Sequence, residues 1–224
     1  MGNRHDRLSG LRHAASAIGA LCFALGTPAF ATDCPTGDYR AAAGPDTAAG
    51  LQIGKDGHFR YFMSEGAVDE HAEGRWTCKD GTVLLTTEPT PKPAEFKLAE
   101  VTQTSEAPLE ISVTDADGHG LAGVDFNLTF DKGEPVTGYT QEYGWTLSDL
   151  QGRAPVKLQV AEPFFGTISP VFSLPAGRHL KIHVVLIPND MGVAAFKDTP
   201  VTSADGKLRL HWRGGELPFV RRKD

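Results

Sequence analysis

Cysteine is scarce in this chain, with three in 224 residues, and basic residues are outnumbered, with 22 Lys and Arg against 28 Asp and Glu. The formal net charge of -6 argues against a general nucleic-acid binder, because phosphate contacts need a basic footprint. No run beyond the first 31 residues is long and apolar enough to span a bilayer as a helix. Helical periodicity of comparable length to the strand patterns below is missing too. There is no G-x-S-x-G elbow, no Walker loop, no H-E-x-x-H pair and no tight Cys/His cluster. Serine hydrolase, P-loop and common zinc chemistries therefore have no carrier. No cofactor and no metal is expected. Glycine and proline are plentiful instead, 25 and 15 residues, and point to many turns and few long helices.

The first 31 residues read as a secretory signal. Arg4, Arg7 and Arg12 make a basic start, Ala14 to Gly26 is small and apolar, and Ala29-Phe30-Ala31 is an A-x-A cleavage site. Cleavage there would remove three basic residues and one acid, taking the net charge from -6 to -8. It would also remove Cys22 and leave Cys34 and Cys78. Two cysteines in an exported chain most simply form one disulfide, the alternative being a buried thiol pair. The bond would leave no thiol nucleophile. The expected location is the periplasm or the extracellular space.

The rest of the chain alternates apolar and polar residues with period two. Phe59, Tyr61 and Met63 share one face, as do Leu109, Ile111 and Val113, and Val124, Phe126, Leu128 and Phe130. Leu180, Ile182, Val184 and Leu186 follow, then Leu208, Leu210 and Trp212. Asp-Gly pairs at 56–57, 80–81, 117–118 and 205–206 suit tight hairpins. The fold expected is all-β, two mostly antiparallel units. A proline-rich stretch, Thr86 to Pro93, and a polar connector, Gln103 to Pro108, mark the boundary, with Phe96 to Leu98 as one further strand of the first unit. The expected organisation is a signal over 1–31, a β-meander or partial barrel of 32–103 plus 199–224, a second unit over 104–188 and a connector over 189–198. The C-terminal hairpin is expected to cover an open edge of the first unit.

Ile111-x-Val113-x-Asp115-x-Asp117-Gly118-x-Gly120-Leu121-Ala122-Gly123-Val124-x-Phe126, with the later Ser148-Asp149-Leu150-Gln151-Gly152, resembles transthyretin-like, carboxypeptidase-regulatory-like domains. That resemblance implies a β-sandwich accessory or binding module with no shared catalytic residues. Gly37-x-Tyr39, Asp56-Gly57-x-Phe59-x-Tyr61 and Gly74-x-Trp76 resemble small bacterial lipocalin-like meanders. This implies a partial barrel or sandwich, with a cleft, for 34–103.

Tyr61, Phe62, Trp76 and Trp145, and the Tyr139, Tyr143, Trp145 cluster, are the aromatic candidates for recognition, against the plainer reading that they are core. Glu65, Asp69, Glu70, His71 and Glu73 could supply a carboxylate pair, against a solvated loop. Asp115, Asp117 and His119 resemble a fragment of a calcium loop but suit a turn equally. His179 and His183, four apart on a strand, stand too far apart to chelate together. The function expected is a non-enzymatic exported binding or envelope-associated module for a small molecule, glycan or protein. The alternative is a hydrolase of glycans or lipids with a carboxylate site.

Overall fold

The computed structural model describes residues 34–42, 44–106 and 108–222; the signal segment lies outside them. Strands run β1 (Gly37–Ala41), β2 (Thr47–Ile53), β3 (His58–Glu65), β4 (Val68–Lys79), β5 (Thr82–Thr87), β6 (Glu95–Gln103), β7 (Leu109–Thr114), β8 (Asp125–Phe130) and β9 (Val136–Tyr139). They continue with β10 (Trp145–Leu147), β11 (Pro155–Glu162), β12 (Thr167–Ile168), β13 (Phe172–Ser173), β14 (Leu180–Ile187), β15 (Thr199–Ala204), β16 (Lys207–Trp212) and β17 (Gly215–Arg221).

Eight strands close a barrel in the order β1-β17-β16-β15-β5-β4-β3-β2. Alternation explains it. Leu51, Ile53, Phe59, Val83, Leu85, Val201, Leu208, Leu210 and Phe219 all turn inward and are buried. Asp38, Arg40, Gln52, Arg60 and Glu73 turn outward and are exposed. An apolar inside with a charged outside is the reverse of a lipid-facing barrel. Asp80-Gly81 and Asp205-Gly206, with both residues of each pair at positive φ, form the tight turns joining β4 to β5 and β15 to β16. Cys34 and Cys78 form the disulfide, Cα to Cα 5.8 Å, and tie the segment before β1 to β4.

Apolar side chains occupy the barrel interior. An eight-stranded barrel is just wide enough to be filled by side chains or to hold one small ligand. Here Leu51, Phe59, Leu210 and Phe219 are fully buried, and the connector adds a plug. Its Phe196 ring lies 5.9 Å from Phe59, 5.2 Å from Tyr61 and 4.8 Å from Trp212. Backbone bonds fix the plug: His71 N–H to Gly192 O, Ala194 N–H to His71 O, and Thr87 N–H to Phe196 O. The connector thus covers the part of β4 that runs past the end of β5.

The remaining strands form two sheets, β10-β7-β14-β6 and β12-β11-β8-β9, with β13 also on β11. They share a second core of Leu109, Ile111, Val113, Leu180, Ile182 and Val184 against Phe126, Leu128, Phe130, Leu158 and Val160.

The structure overturns several expectations. The meander is not a partial barrel with an open edge to be covered by a hairpin. Three C-terminal strands insert between β5 and β1 and close the sheet, which leaves no edge. The lipocalin-like and the transthyretin-like, carboxypeptidase-regulatory-like resemblances are both set aside, and with them the description as a β-sandwich in two units plus a hairpin. The largest sheet is a closed barrel and there are three sheets, not two units. The motif that carried the second resemblance encodes local features only. Its two strands, β7 and β8, lie in different sheets, so Asp117-Gly118 is not the tip of a hairpin between them. Phe96 to Leu98 lie on β6, which pairs with β14 rather than with the barrel.

Candidate functional site

The outer face of β17, β1, β2, β3 and β4 carries two cross-strand rows. One row runs Val220, Arg40, Gly50, Phe62, His71. The next runs Arg222, Asp38, Gln52, Arg60, Glu73. Together they line a groove of about 960 Å³. The floor is set by Gly50. A Cβ there would stand 2.3 Å from the nearest Phe62 ring carbon, so the missing side chain is what lets the ring lie down on the sheet. The upper surface of Phe62 remains open, with the residue 54% exposed.

Four arginines line the groove, against the two acids Asp38 and Glu73. The groove therefore reverses the sign of an acidic chain. Arg221 is committed to structure: it donates to Thr36 O and to Tyr39 Oη, and its guanidinium lies 5.5 Å from the Tyr39 ring. Arg60 and Glu73 approach to 4.0 Å, both well exposed, a pair worth little in water. Arg40 and Arg222 form no ion pair among the described residues.

Sequence-predicted residues disperse. Tyr61 is buried in the barrel core, and it also borders the groove. Trp76 packs against that core and donates Nε1–H to Gly54 O at 2.8 Å. Trp145 packs on Phe126 at 4.7 Å. Tyr139 and Tyr143 are exposed, the latter at 85%, but neither lines the barrel groove. The acidic cluster lies mostly on β4 rather than on a loop, and alternation splits it. Glu70 points in, while Asp69, His71 and Glu73 point out. His183 meets Thr114 at 3.0 Å and shares no site with His179. Sequence reading missed Arg40, Gly50 and Arg222, and placed Phe62 among the aromatics without its neighbours. The available signal was alternation: Tyr39, Leu51 and Tyr61 inward put Arg40, Gly50 and Phe62 outward.

Asp115, Asp117 and His119 present oxygen and nitrogen atoms within 4.8 Å of one another. Asp115 Oδ1 accepts the N–H groups of His119 and Asp117, both at 2.9 Å. The His119 N–H, helped by the His119 ring and the Asp117 N–H, holds the Asp115 carboxyl below its ordinary range. These are the turn's own bonds.

Inside the barrel, Glu70 is 3% exposed and pairs with Arg213, which stands on the β16–β17 turn. Glu70 Oε2, Tyr61 Oη and Trp212 Nε1 are buried without a partner among the described residues. Burial, then the Glu70 charge, pushes the Tyr61 hydroxyl far above its ordinary value, with Arg213 opposing. A raised folded pKa means stability that is full below the unfolded value, about 10, and lost as pH rises beyond it. Spectrophotometric titration should show Tyr61 ionising only together with alkaline unfolding. Tyr61→Phe should move that unfolding to higher pH; an unchanged midpoint would contradict this assignment.

A scan against family models and searches of curated proteins and of solved structures find no match to this chain. No helix among the described residues is long and apolar enough to cross a membrane.

Proposed function

We propose that this protein is a non-enzymatic, exported binding module that holds a carbohydrate on the outer face of its barrel. The observation that carries this is the Phe62 ring, seated on Gly50 and open above, among polar side chains of two adjacent rows. A pyranose presents a face of C–H bonds that packs on such a ring and a rim of hydroxyls that needs donors and acceptors beside it. Gln52, Arg60 and Glu73 offer both, and Arg's planar fork suits vicinal hydroxyls. Other ligand classes have less to hold them. The barrel interior is occupied by the chain's own buried apolar side chains, with which a lipid would have to compete. The closed barrel, unlike the two open sheets, offers no edge for an added peptide strand beside the groove. Export is supported by the disulfide, which suits an oxidising compartment.

The carboxylates of the groove favour holding over cleaving. Asp38 and Glu73 stand three strands apart on their row, their Cα atoms about 14 Å from each other at the usual strand spacing, with Gln52 and Arg60 between them, whereas a glycosidase pair faces across an open cleft with its carboxyl groups roughly 5–9.5 Å apart. A glycan array probed with the protein should give hits that Phe62→Ala loses with its near-ultraviolet circular dichroism unchanged. Bound glycans should be recovered uncut. An array without hits overturns the reading, and shortened products would move it to the hydrolase.

A further inference from the structure

We infer that the carbohydrate held in the groove is acidic, a uronate-bearing glycan whose carboxylate is taken by Arg40; this rests on the carbohydrate reading above. The two rows of the groove differ in charge. Both acids, Asp38 and Glu73, lie on the row of Arg222, Gln52 and Arg60. The row that carries Phe62 holds no acid, and Arg40 is its one permanent charge. A sugar stacked on Phe62 therefore has a cation beside it and no anion on the same row.

Spacing allows the contact. Arg40 and Phe62 are two strands apart, so their Cα atoms are about 10 Å from each other. The strand between them contributes Gly50 at that register, and no side chain stands in the way. A ring resting on Phe62 with a carboxylate on its edge bridges that gap to a long guanidinium arm. The arm is available: Arg40 has no ion-pair partner among the described residues, while Arg221 nearby is held by Thr36 and Tyr39. Guanidinium matches carboxylate through two parallel N–H···O bonds. Asp38, two residues along β1 on the same face, disfavours a carboxylate placed over the other row and so selects which way the acid points.

The test compares the intact, disulfide-bonded protein with a galacturonate oligosaccharide and its carboxyl-reduced, galactose counterpart by titration calorimetry. The acidic form should bind tighter by roughly tenfold to a hundredfold, the size of a hydrogen-bonded charge contact. Arg40→Gln should erase that preference, so that the acidic form binds no tighter than the neutral one measured on the same variant, and Arg40→Lys should keep part of it. Gly50→Ala should weaken both forms, because its Cβ displaces the Phe62 ring. Equal binding of the two forms overturns the acidic assignment and leaves the carbohydrate reading standing. A preference that survives Arg40→Gln also overturns it. Equally strong binding of sulfated dextran, which has no carboxylate, would show bare charge attraction and overturn it too. If neither oligosaccharide binds and the glycan array is likewise blank, the carbohydrate reading itself has failed.

Discussion

Deleting the chain from Thr199 onward should strip hydrogen-exchange protection from Phe59–Met63 and Val83–Leu85 while leaving Leu109–Val113 protected. The deletion removes β15, β16 and β17, three of the eight barrel strands. It takes Val201, Leu208, Leu210 and Phe219 out of the first core and leaves β5 and β1 with bare edges. Phe196 loses Trp212, its nearest ring partner. An open five-stranded remnant with a large uncovered apolar face has no means of staying folded in water. The second core draws on none of these residues. Its buried members run from Phe96 to Leu186, and the parallel pairing of β7 with β14 is internal to it. Simultaneous loss of protection at Leu109–Val113 would show instead that the two cores fold as one cooperative unit.

Local pattern made the strands and several turns legible, because both depend on neighbours in sequence. Leu109, Ile111 and Val113 announce an inward face by period two alone, and so do Leu180 to Leu186 and Leu208 to Trp212. Asp80-Gly81 and Asp205-Gly206 announce turns because their φ values are positive. Closure of the barrel was not legible. It depends on β1 meeting β17, where Tyr39 faces Arg221 across almost the whole chain. No periodicity within either strand specifies that partner. Phe96 to Leu98 could be read as a strand but not assigned to a sheet, since the facing residues lie at Val184 to Leu186.

The groove was hidden for the same reason. Its two rows gather residues from positions 38 to 222, and each residue taken alone is an ordinary exposed polar side chain. Only Phe62 stood out, as an aromatic beside Tyr61. What makes it a platform is Gly50, which reads in sequence as one small residue after two alanines. The acidic cluster misled in the opposite direction. Five titratable residues between 65 and 73 suggest convergence, yet a strand sends Glu70 into the barrel and Asp69, His71 and Glu73 out of it.

The connector was the least legible segment, and Phe196→Ala should show what it does. Read only as a connector, residues 189–198 include two side chains inside the barrel, Ala194 and Phe196. Phe196 touches Phe59, Tyr61 and Trp212, and its backbone N–H and C=O both bond to Thr87. Truncation leaves the backbone bonds in place and empties the space between three rings. Rings held by strands on opposite sides of a barrel cannot collapse far into such a void. The cost should fall at about 3–5 kcal/mol, the upper range for core truncations. Met191, five residues earlier, packs partly buried against the second core, so Met191→Ala should cost less and act there. Urea unfolding can separate the two sites through Trp76 and Trp212 at the barrel and Trp145 in the second core. Phe196→Ala should lower the midpoint reported by the barrel tryptophans and leave that of Trp145 in place. A loss below about 1 kcal/mol, the size of an ordinary surface change, would mean that the barrel closes without its plug.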